Sequence, residues 1–402
     1  MSEDWIIYGK PYDLREFLKR HPGGELALRL GQGRDCTILF EQYHVLNENH
    51  MRMLRGFGTV EAGPVDAFYK ELKEALRRLD DIKTTPLMCM FLLLMLGVNC
   101  WAWLGWFSGS WAGALALPFV NWLLTVNMAH DAGHFAFSRH AVLNEAAALF
   151  SAPLFYNTAY WYLQHNVSHH MNTNHVENDI DLHHLEALVR SHMLHRWFPV
   201  HRYQILSVSA LNSVLTTLAE NVLFPLQLLF SQAVNSRFFG IVQHTFDYTR
   251  VSMFVQLGLS AGVIVYPFFA FGLCWKAFFF ALWPYMIGSL LFITITQISH
   301  IQEETQRQTA WPHWSHQMVD TALDYSQDSA LVTLLTGGLN MQGLHHCVPG
   351  LSSSRFQQVY PIYRALCQKH GLIIHEAPSP WEAIRRYWVH MYRLSKKTNK
   401  TE

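Results

Sequence analysis

The stretch from Leu87 to His134 decides the fold: LMCMFLLLMLGVNCWAWLGWFSGSWAGALALPFVNWLLTVNMAHDAGH. From Leu87 to Ala129 it contains no Asp, Glu, Lys or Arg. Phe107-Ser-Gly-Ser110 divides this run into halves of roughly 20 residues, the length of a membrane-spanning helix. The pattern predicts two spanning helices joined by a tight turn, with a pair of histidines directly after the second.

Residues 251–299 repeat the pattern, and Lys276 is their one charged residue. Two such hairpins make four spans, so the three long polar segments of the chain are expected on one face of the bilayer. Lys and Arg concentrate in those segments, which favours a cytoplasmic location for them. Between the hairpins, Ala146–Phe155 and Leu206–Phe230 are apolar but interrupted. They are interpreted as interfacial or peripheral helices, with a further pair of spans as the alternative.

Composition supports a membrane protein. Half of the residues are hydrophobic and 15% are charged, whereas soluble domains carry about 25% charged residues. The formal net charge is zero with histidine neutral, and no basic face predicts a nucleic-acid partner. The six cysteines include no CxxC pair and are interpreted as small hydrophobic residues. The start, MSEDWIIYGK, lacks the features of a cleavable signal, so the N-terminus is expected to stay in the cytosol.

The 24 histidines are the outlier, and many of them are clustered at the ends of the predicted hairpins. Imidazoles at helical spacing suit a borderline transition metal such as iron, copper, nickel or zinc. Eight histidines exceed the needs of one tetrahedral ion, so two metals sharing the set is the economical interpretation. The candidates are His130 and His134; His165, His169 and His170; His345 and His346; and His300, which closes the last span.

Nearby acids are candidates for orienting these rings. They are Asp131, Glu145, Asp179 and Asp181. Other histidines lack a partner at helical spacing beside a span and are interpreted as surface residues. They are His183, His184, His192, His195 and His201.

A second histidine pattern lies in residues 1–60, which read as a small soluble unit. His21-Pro-Gly-Gly24 and His44 are two histidines among glycine turns, which lets them reach opposite faces of a flat macrocycle. Bis-imidazole ligation leaves no open coordination position, so such a haem transfers electrons. His50 is the less favoured second ligand.

The three clusters resemble the histidine boxes of the membrane fatty acid desaturase superfamily. HDAGH, HNVSHH and QGLHH carry the likeness, which covers residues 87–375, and the glutamine that opens the third box is similar to the front-end desaturases. The resemblance implies a di-iron centre with the following ligands: His130, His134, His165, His169, His170, His345 and His346, with His300 as the extra histidine and Gln342 in place of the first histidine of the third box. Cys347-Val-Pro349 departs from the usual Leu-Phe-Pro, which leaves regiochemistry and substrate open.

The N-terminal unit resembles cytochrome b5, with His21 and His44 as axial ligands of haem b. The run Trp5–Asp13 matches the strand before the first ligand. The segment preceding that strand is shorter than the family's usual one, so a pocket too weak to hold haem is the alternative.

These features predict a mainly α fold: a four-helix transmembrane desaturase core with a cytosolic helical cap, plus a small N-terminal α+β cytochrome b5-like domain. The expected organisation is 1–60 for the haem domain, 61–86 for a linker with an amphipathic helix around Phe68–Leu79, 87–375 for the desaturase domain, and 376–402 for a C-terminal helix and basic tail.

The implied function is O₂-dependent front-end desaturation, which inserts a cis double bond into a polyunsaturated fatty acyl chain, on either a lipid or acyl-CoA. Electrons would come from NADH through a separate cytochrome b5 reductase and the fused haem. The expected location is the endoplasmic reticulum membrane, multi-pass, with both termini cytosolic. Trp161 and Tyr162 are interpreted as interface-belt residues rather than as the lining of an acyl tunnel.

Several rival functions stay open. A sphingolipid long-chain-base desaturase or a lipid hydroxylase would use the same metal site. A metal transporter is disfavoured because the predicted spans hold no interior histidine or carboxylate. A haem-anchored electron carrier would not need the other eight histidines.

Overall fold

The structure is a computed structural model and describes residues 4–60, 63, 66–209, 213–240 and 242–397. Four of its helices are long and apolar enough to cross a membrane: Pro86–Phe107, Trp111–Gly133, Gln243–Phe271 and Trp275–Gln297. They form the two predicted hairpins. The third helix begins earlier than the apolar run because the polar residues from Gln243 to Arg250 contain no Gly or Pro to end it.

The first hairpin has an outer and an inner helix. The outer helix begins with Pro86 after Thr85, whose side chain accepts a hydrogen bond from the Met88 amide, a standard helix start. Only 17% of its apolar window is buried, against 72% for Trp111–Gly133. The second helix is therefore the one surrounded by protein, and it carries the first histidine cluster.

The two helices approach closely at a pair of glycines. A Cβ added to Gly105 would lie 2.9 Å from the Cα of Gly113, so neither position has room for a side chain. Small residues at a crossing allow such backbone contact within a membrane.

The segments between the hairpins differ from one another. The helical stretch Ala141–Ser151 is apolar but too short to span. Val214–Phe230 and Gln232–Phe239 are bent against each other by 91°, and the number of candidate spans rises from four to five if this bent pair crosses as one. Part of the predicted 206–230 helix, residues 210–212, lies outside the described residues.

The predicted amphipathic helix is confirmed as Ala67–Leu76. It buries Phe68, Leu72 and Leu76 in a core shared with the helix Phe356–Lys369. The Asp66 side chain accepts a hydrogen bond from the Tyr69 amide at 2.8 Å and caps the helix. This segment is therefore part of the cap rather than a free linker.

The N-terminal unit has its own small core around Trp5, Ile7, Tyr12 and Leu39. Its strands are Trp5–Ile7 and Lys10–Tyr12, paired antiparallel, and its helices are Arg15–Arg20, Glu25–Arg29, Thr37–Tyr43 and Asn49–Leu54.

The other elements form the cap and the walls of the site. Between the hairpins they are Ala141–Ala148, Leu149–Ser151, Thr158–Trp161, Tyr162–His169, His170–Asn172, Ile180–Leu182, Pro199–Tyr203, Gln204–Ser207, Ser213–Leu218, Ala219–Leu223, Phe224–Phe230 and Gln232–Phe238. After the last span they are the helices Trp314–Asp320, Ala330–Thr336, Gln342–Cys347, Ser353–Arg355, Phe356–Lys369 and Pro380–Leu394, with the parallel strands Leu323–Tyr325 and His375–Ala377. The predicted C-terminal helix is confirmed, whereas residues 398–402 of the basic tail lie outside the described residues.

Candidate metal centre and haem pocket

The first histidine cluster sits at the inner end of the second span. Residues Thr125–Ala129 form a π-helical turn, and the chain then returns to α-helix at His130–Gly133. His130 and His134 are both buried, with ring centroids 4.7 Å apart. The predicted i, i+4 pair is therefore present on one helix face.

The second cluster is built differently, because Tyr162–His169 is π-helical. A π turn bonds residue i to i+5 and so changes which side chains face one another. Nε2 of His165 lies 3.2 Å from Nε2 of His170, an i, i+5 pair. His169 points instead to His300 and His346, with ring centroids 4.7 and 4.9 Å away. The sequence pattern indicated the cluster but not this division.

The third cluster lies on the short helix Gln342–Cys347, after a glycine turn. Gly337 has a φ of 60°, and a Cβ there would collide with the Val126 carbonyl on the second span. The Gly343 amide donates to Asp324 at 3.0 Å. These contacts hold the third cluster against the first.

The structure brings all nine predicted metal-site residues into one buried cluster, which we call the histidine cage. Its members include two groups, each with ligand atoms within 4.8 Å of one another: His130, His134, His165 and His345 in the first, and His169, His300 and His346 in the second. His165 and His169 also form a group with Asp181, which overlaps both. His170 lies between them, stacked on His346 with centroids 4.3 Å apart. The Gln342 amide lies 2.9 Å from Nε2 of His300 and 3.1 Å from Nε2 of His346.

The donor atoms of the cage fit transition-metal ions. Buried ring nitrogens of His130, His134, His170 and His345 have no hydrogen-bond partner, although buried polar atoms are normally paired. Burial lowers the pKa of His170 and His345 well below the usual range, so these rings are neutral, the form that binds metals. Seven imidazoles in two adjacent groups suit two ions of borderline softness, such as iron.

Residues outside the cage orient some of its imidazole rings. Nδ1 of His169 lies 3.0 Å from Asp179 and 3.5 Å from Asp181. Burial alone lowers the pKa of His169, but the two carboxylates outweigh it and raise that pKa to about 9. The Thr173 hydroxyl lies 2.9 Å from Nδ1 of His346. Partners of this kind set ring orientation and ligand basicity.

Of the four acids predicted to orient the rings, two lie beside a cage histidine and two have other partners. Asp179 and Asp181 lie beside His169. Asp131 instead accepts hydrogen bonds from Ser352 and Ser353, and Glu145 accepts one from Tyr248. Adjacency in sequence did not identify the partners, because Asp131 is bonded to Ser352 and Ser353 rather than to a cage histidine.

In the N-terminal unit, His21 and His44 face each other with ring centroids 6.1 Å apart. Nδ1 of His21 is 3.1 Å from the Gly24 carbonyl, and Nδ1 of His44 is 2.7 Å from the Phe40 carbonyl. If each Nδ1 carries the proton, each Nε2 offers its lone pair to iron. Burial lowers the pKa of both rings, that of His44 to about 3, which keeps them neutral. These features fit a bis-imidazole haem.

The ring of His50, the less favoured second ligand, stacks on His44 with centroids 4.8 Å apart and an interplanar angle of 23°. It therefore lies beside the favoured ligand, and the choice of His44 stays a prediction. Gly23 is needed beside the first ligand, because a Cβ there would lie 2.9 Å from Cε1 of His21.

One helix connects the haem pocket to the cage. Thr37–Tyr43 ends directly before His44. Nε2 of Gln42 donates to the His346 carbonyl at 2.9 Å, and the Tyr43 hydroxyl lies 3.0 Å from Nδ1 of His134. No sequence pattern indicated these two contacts, because they join residues far apart in the chain.

A cavity of about 320 Å³ adjoins the cage, and its lining is mostly apolar. His130, His165, His169 and His300 form part of its wall. Its polar end holds Gln164, Asp181, His184 and Glu220, of which the sequence had indicated only Asp181 as a site residue. An elongated apolar molecule in this cavity would therefore lie directly beside the imidazole nitrogens of the cage.

Trp161 lines this cavity and stacks on His165, with centroids 4.6 Å apart and an interplanar angle of 25°. The interface-belt interpretation is therefore wrong for Trp161. Tyr162 is also buried, stacked on Phe135. The interpretation of surface residues is wrong as well for three histidines, His192, His195 and His201, which are almost fully buried.

Comparison with known proteins agrees with this geometry. Residues 102–378 match the fatty acid desaturase family, and residues 3–63 match the cytochrome b5-like heme/steroid binding domain. The chain is 32% identical to an acyl-lipid omega-13 desaturase of Chlamydomonas reinhardtii, over 96% of this chain and 93% of that protein. It is 27% identical to acyl-lipid (8-3)-desaturase B of Dictyostelium discoideum, over 97% and 91% of the two chains. It is 25% identical to an acyl-lipid (8-3)-desaturase of Mortierella alpina, over 96% and 92%.

Proposed function

The chain belongs to the fatty acid desaturase family and carries a cytochrome b5-like domain before its membrane part, and from this membership we infer that it is an O₂-dependent front-end acyl-lipid desaturase. Its proposed substrate is a polyunsaturated fatty acyl chain. The proposed product has a new cis double bond between an existing one and the carboxyl end. The relatives from Dictyostelium and Mortierella, named as acyl-lipid (8-3)-desaturases, support this substrate class.

One observation carries the proposal: the histidine cage borders an apolar cavity and is contacted by the helix that leads to His44. Electron donor, metal ligands and substrate space are thus adjacent within one chain. A metal transporter would need histidines or carboxylates in the interior of its spans, and an electron carrier would need no cage.

The residues of each group define the proposed roles. The group of His130, His134, His165 and His345 would hold one iron, and the group of His169, His300 and His346 the other. His170 lies between the two groups, and Gln342 lies beside the second group. When bound, the irons supply O₂ activation and the haem supplies one-electron transfer.

The reaction balances with an external donor. Two hydrogens leave adjacent methylenes of the acyl chain, and two electrons and two protons arrive from the donor side. Together they reduce one O₂ to two waters, and the acyl chain gains one double bond. We propose NADH and a separate cytochrome b5 reductase as the electron source, delivering to the haem between His21 and His44.

The contacts of this chain assign further tasks. Tyr43 and Gln42 hold the N-terminal unit on the cage, which keeps the donor at a high effective concentration. Trp161 covers His165 and limits water at that ring. Asp179 orients His169.

We propose an endoplasmic reticulum location with both termini in the cytosol. The haem pocket contacts the cage, and the cage lies where the second and fourth spans end. The haem pocket, the cage and these two helix ends therefore lie on one face of the bilayer. Four spans return the chain to that face.

The deciding experiment is expression in yeast supplied with candidate polyunsaturated acids, comparing the unaltered chain with His169→Ala. We expect new double bonds on the carboxyl side of an existing one, and none with the variant. Altered long-chain bases would identify a sphingolipid desaturase instead, and hydroxylated chains a hydroxylase.

Metal analysis of the purified protein complements this assay. About two non-haem irons and about one haem per chain support the proposal. Zinc alone or haem alone in an active preparation would rule out the di-iron assignment.

A further inference from the structure

A third group of ligating side chains lies outside the histidine cage. His183, Glu186 and His195 each offer one donor atom, and these atoms lie within 4.8 Å of one another. We propose that this group binds one divalent transition-metal ion of the zinc class, separate from the irons. Two imidazoles and a carboxylate are a ligand set that zinc accepts, with a fourth position left for water.

The contacts of the two ring nitrogens of His183 support a cation at this place. Its Nε2 lies 2.7 Å from the Val176 carbonyl, an arrangement that requires an N–H at Nε2. In the neutral ring Nδ1 then carries a lone pair, and it lies 3.0 Å from Oε2 of Glu186. Two acceptors so close repel each other unless a positive charge lies between them. A backbone carbonyl on the far nitrogen is the usual support of a metal-bound histidine.

A proton on Nδ1 would satisfy His183 and Glu186 but not His195. That ring is 4% exposed. The Val176 carbonyl lies near it, but this carbonyl is 2.7 Å from Nε2 of His183, and neither nitrogen of His195 makes a hydrogen bond of good geometry. Its centroid lies 4.7 Å from that of His183. A metal ion shared by the three side chains satisfies them all, whereas a proton leaves an orphaned buried imidazole.

The backbone around the group is held in place by other residues. The buried guanidinium of Arg190 donates to the carbonyls of Met193 and of His195, the latter at 2.9 Å. Nε2 of His201 lies 2.9 Å from the Glu186 carbonyl. The ligands are thus positioned without relying on the metal.

The surrounding charges leave the site open to a cation. Arg190 and Arg237 both act on this group, but Arg237 pairs with Glu177 at 3.4 Å. The Glu186 side chain is 35% exposed, which gives an entry path from solvent. A zinc ion carries two positive charges, of which the Glu186 carboxylate neutralises one.

The site would stabilise one wall of the cavity. The segment that carries His183 and Glu186 also carries Asp181, which lies beside His169, and Leu185, Leu188 and Val189 of the cavity lining. A bound ion would tie this segment to the turn at His195. The inferred role is structural and does not depend on the proposed desaturation.

The test uses full-length purified protein that keeps the iron of its cage, with zinc added after dialysis, and metals measured per chain. Cobalt(II) absorption reports tetrahedral ligation independently of activity. The variants are His195→Ala and Glu186→Gln, the latter keeping side-chain volume. His140→Ala is the matched control, since it removes an exposed imidazole that is no member of the group. His169→Ala protein separates zinc held here from zinc held in the cage.

We expect about one zinc per chain in the unaltered protein, in His140→Ala and in His169→Ala. His195→Ala and Glu186→Gln should lose affinity by more than the roughly 10–100-fold that outer partners of a metal contribute. Circular dichroism of the variants shows whether they are folded. Zinc bound equally by all variants, or by none, would overturn the proposal.

Discussion

The haem pocket and the histidine cage are two histidine sites built in opposite ways. His21 and His44 lie within one small unit, each beside a carbonyl of its own turn. The cage draws its members from the second span, from a π-helix, from the end of the fourth span and from the cap. A local site depends on a few neighbouring residues, whereas a distributed site depends on the whole fold. Damage to one should therefore spare the other.

The largest expected effect separates the two sites. His169→Ala should abolish desaturation and lower non-haem iron. It removes a proposed metal ligand and leaves the buried Asp179 carboxylate without its imidazole partner. Haem absorbance should be unchanged. Iron analysis and the absorption spectrum of purified protein measure both sites at once.

His44→Ala is the reciprocal control. It should remove the haem spectrum and leave non-haem iron in place. If either variant lost both cofactors, the two sites would not be independent.

The next effect concerns the support of the cage. Asp179→Asn should lower iron affinity by roughly 10–100-fold, as outer-partner changes do at metal sites. The carboxylate accepts from the Asn174 amide and lies beside Nδ1 of His169. Iron titration against a chelator measures the change. Asp328→Asn, on an exposed turn, is the control and should bind iron as the unaltered chain does.

A smaller effect should appear at the contact between the two sites. Tyr43→Phe removes the hydroxyl beside Nδ1 of His134 and should slow reoxidation of the reduced haem by O₂ roughly tenfold, the low end of outer-partner losses. Stopped-flow absorbance at the haem band measures this rate. Tyr12→Phe removes a hydroxyl that donates to Thr59 within the N-terminal unit. An equal slowing in both variants would assign the effect to the unit's stability.

The smallest effect is expected from Thr173→Val. The change preserves shape and removes one hydrogen bond to His346, worth about 1 kcal/mol. Iron affinity should fall about fivefold. The same chelator titration detects it, and no change would show that this hydrogen bond does not contribute to holding His346.

Much of this molecule was readable from the chain. Charge-free runs marked the hairpins, and histidine spacing marked the cage and the haem ligands. The sequence did not correctly predict which residues are neighbours in the folded structure. His165 and His169, an i, i+4 pair by spacing, share a candidate group with Asp181, but His165 also joins His130, His134 and His345 while His169 joins His300 and His346. Trp161, assigned to the membrane interface, lies buried on His165 because the cap covers it.

The sequence by itself determined which side chains are candidates to bind metal and haem, because imidazoles, glycines and uncharged runs each have few physical uses. Only the tertiary structure decided how these candidates are grouped. Contacts between distant segments decide which imidazoles lie together, that Tyr43 contacts His134, and that His195 is buried. Such contacts follow from how helices pack in three dimensions, and no local periodicity encodes them.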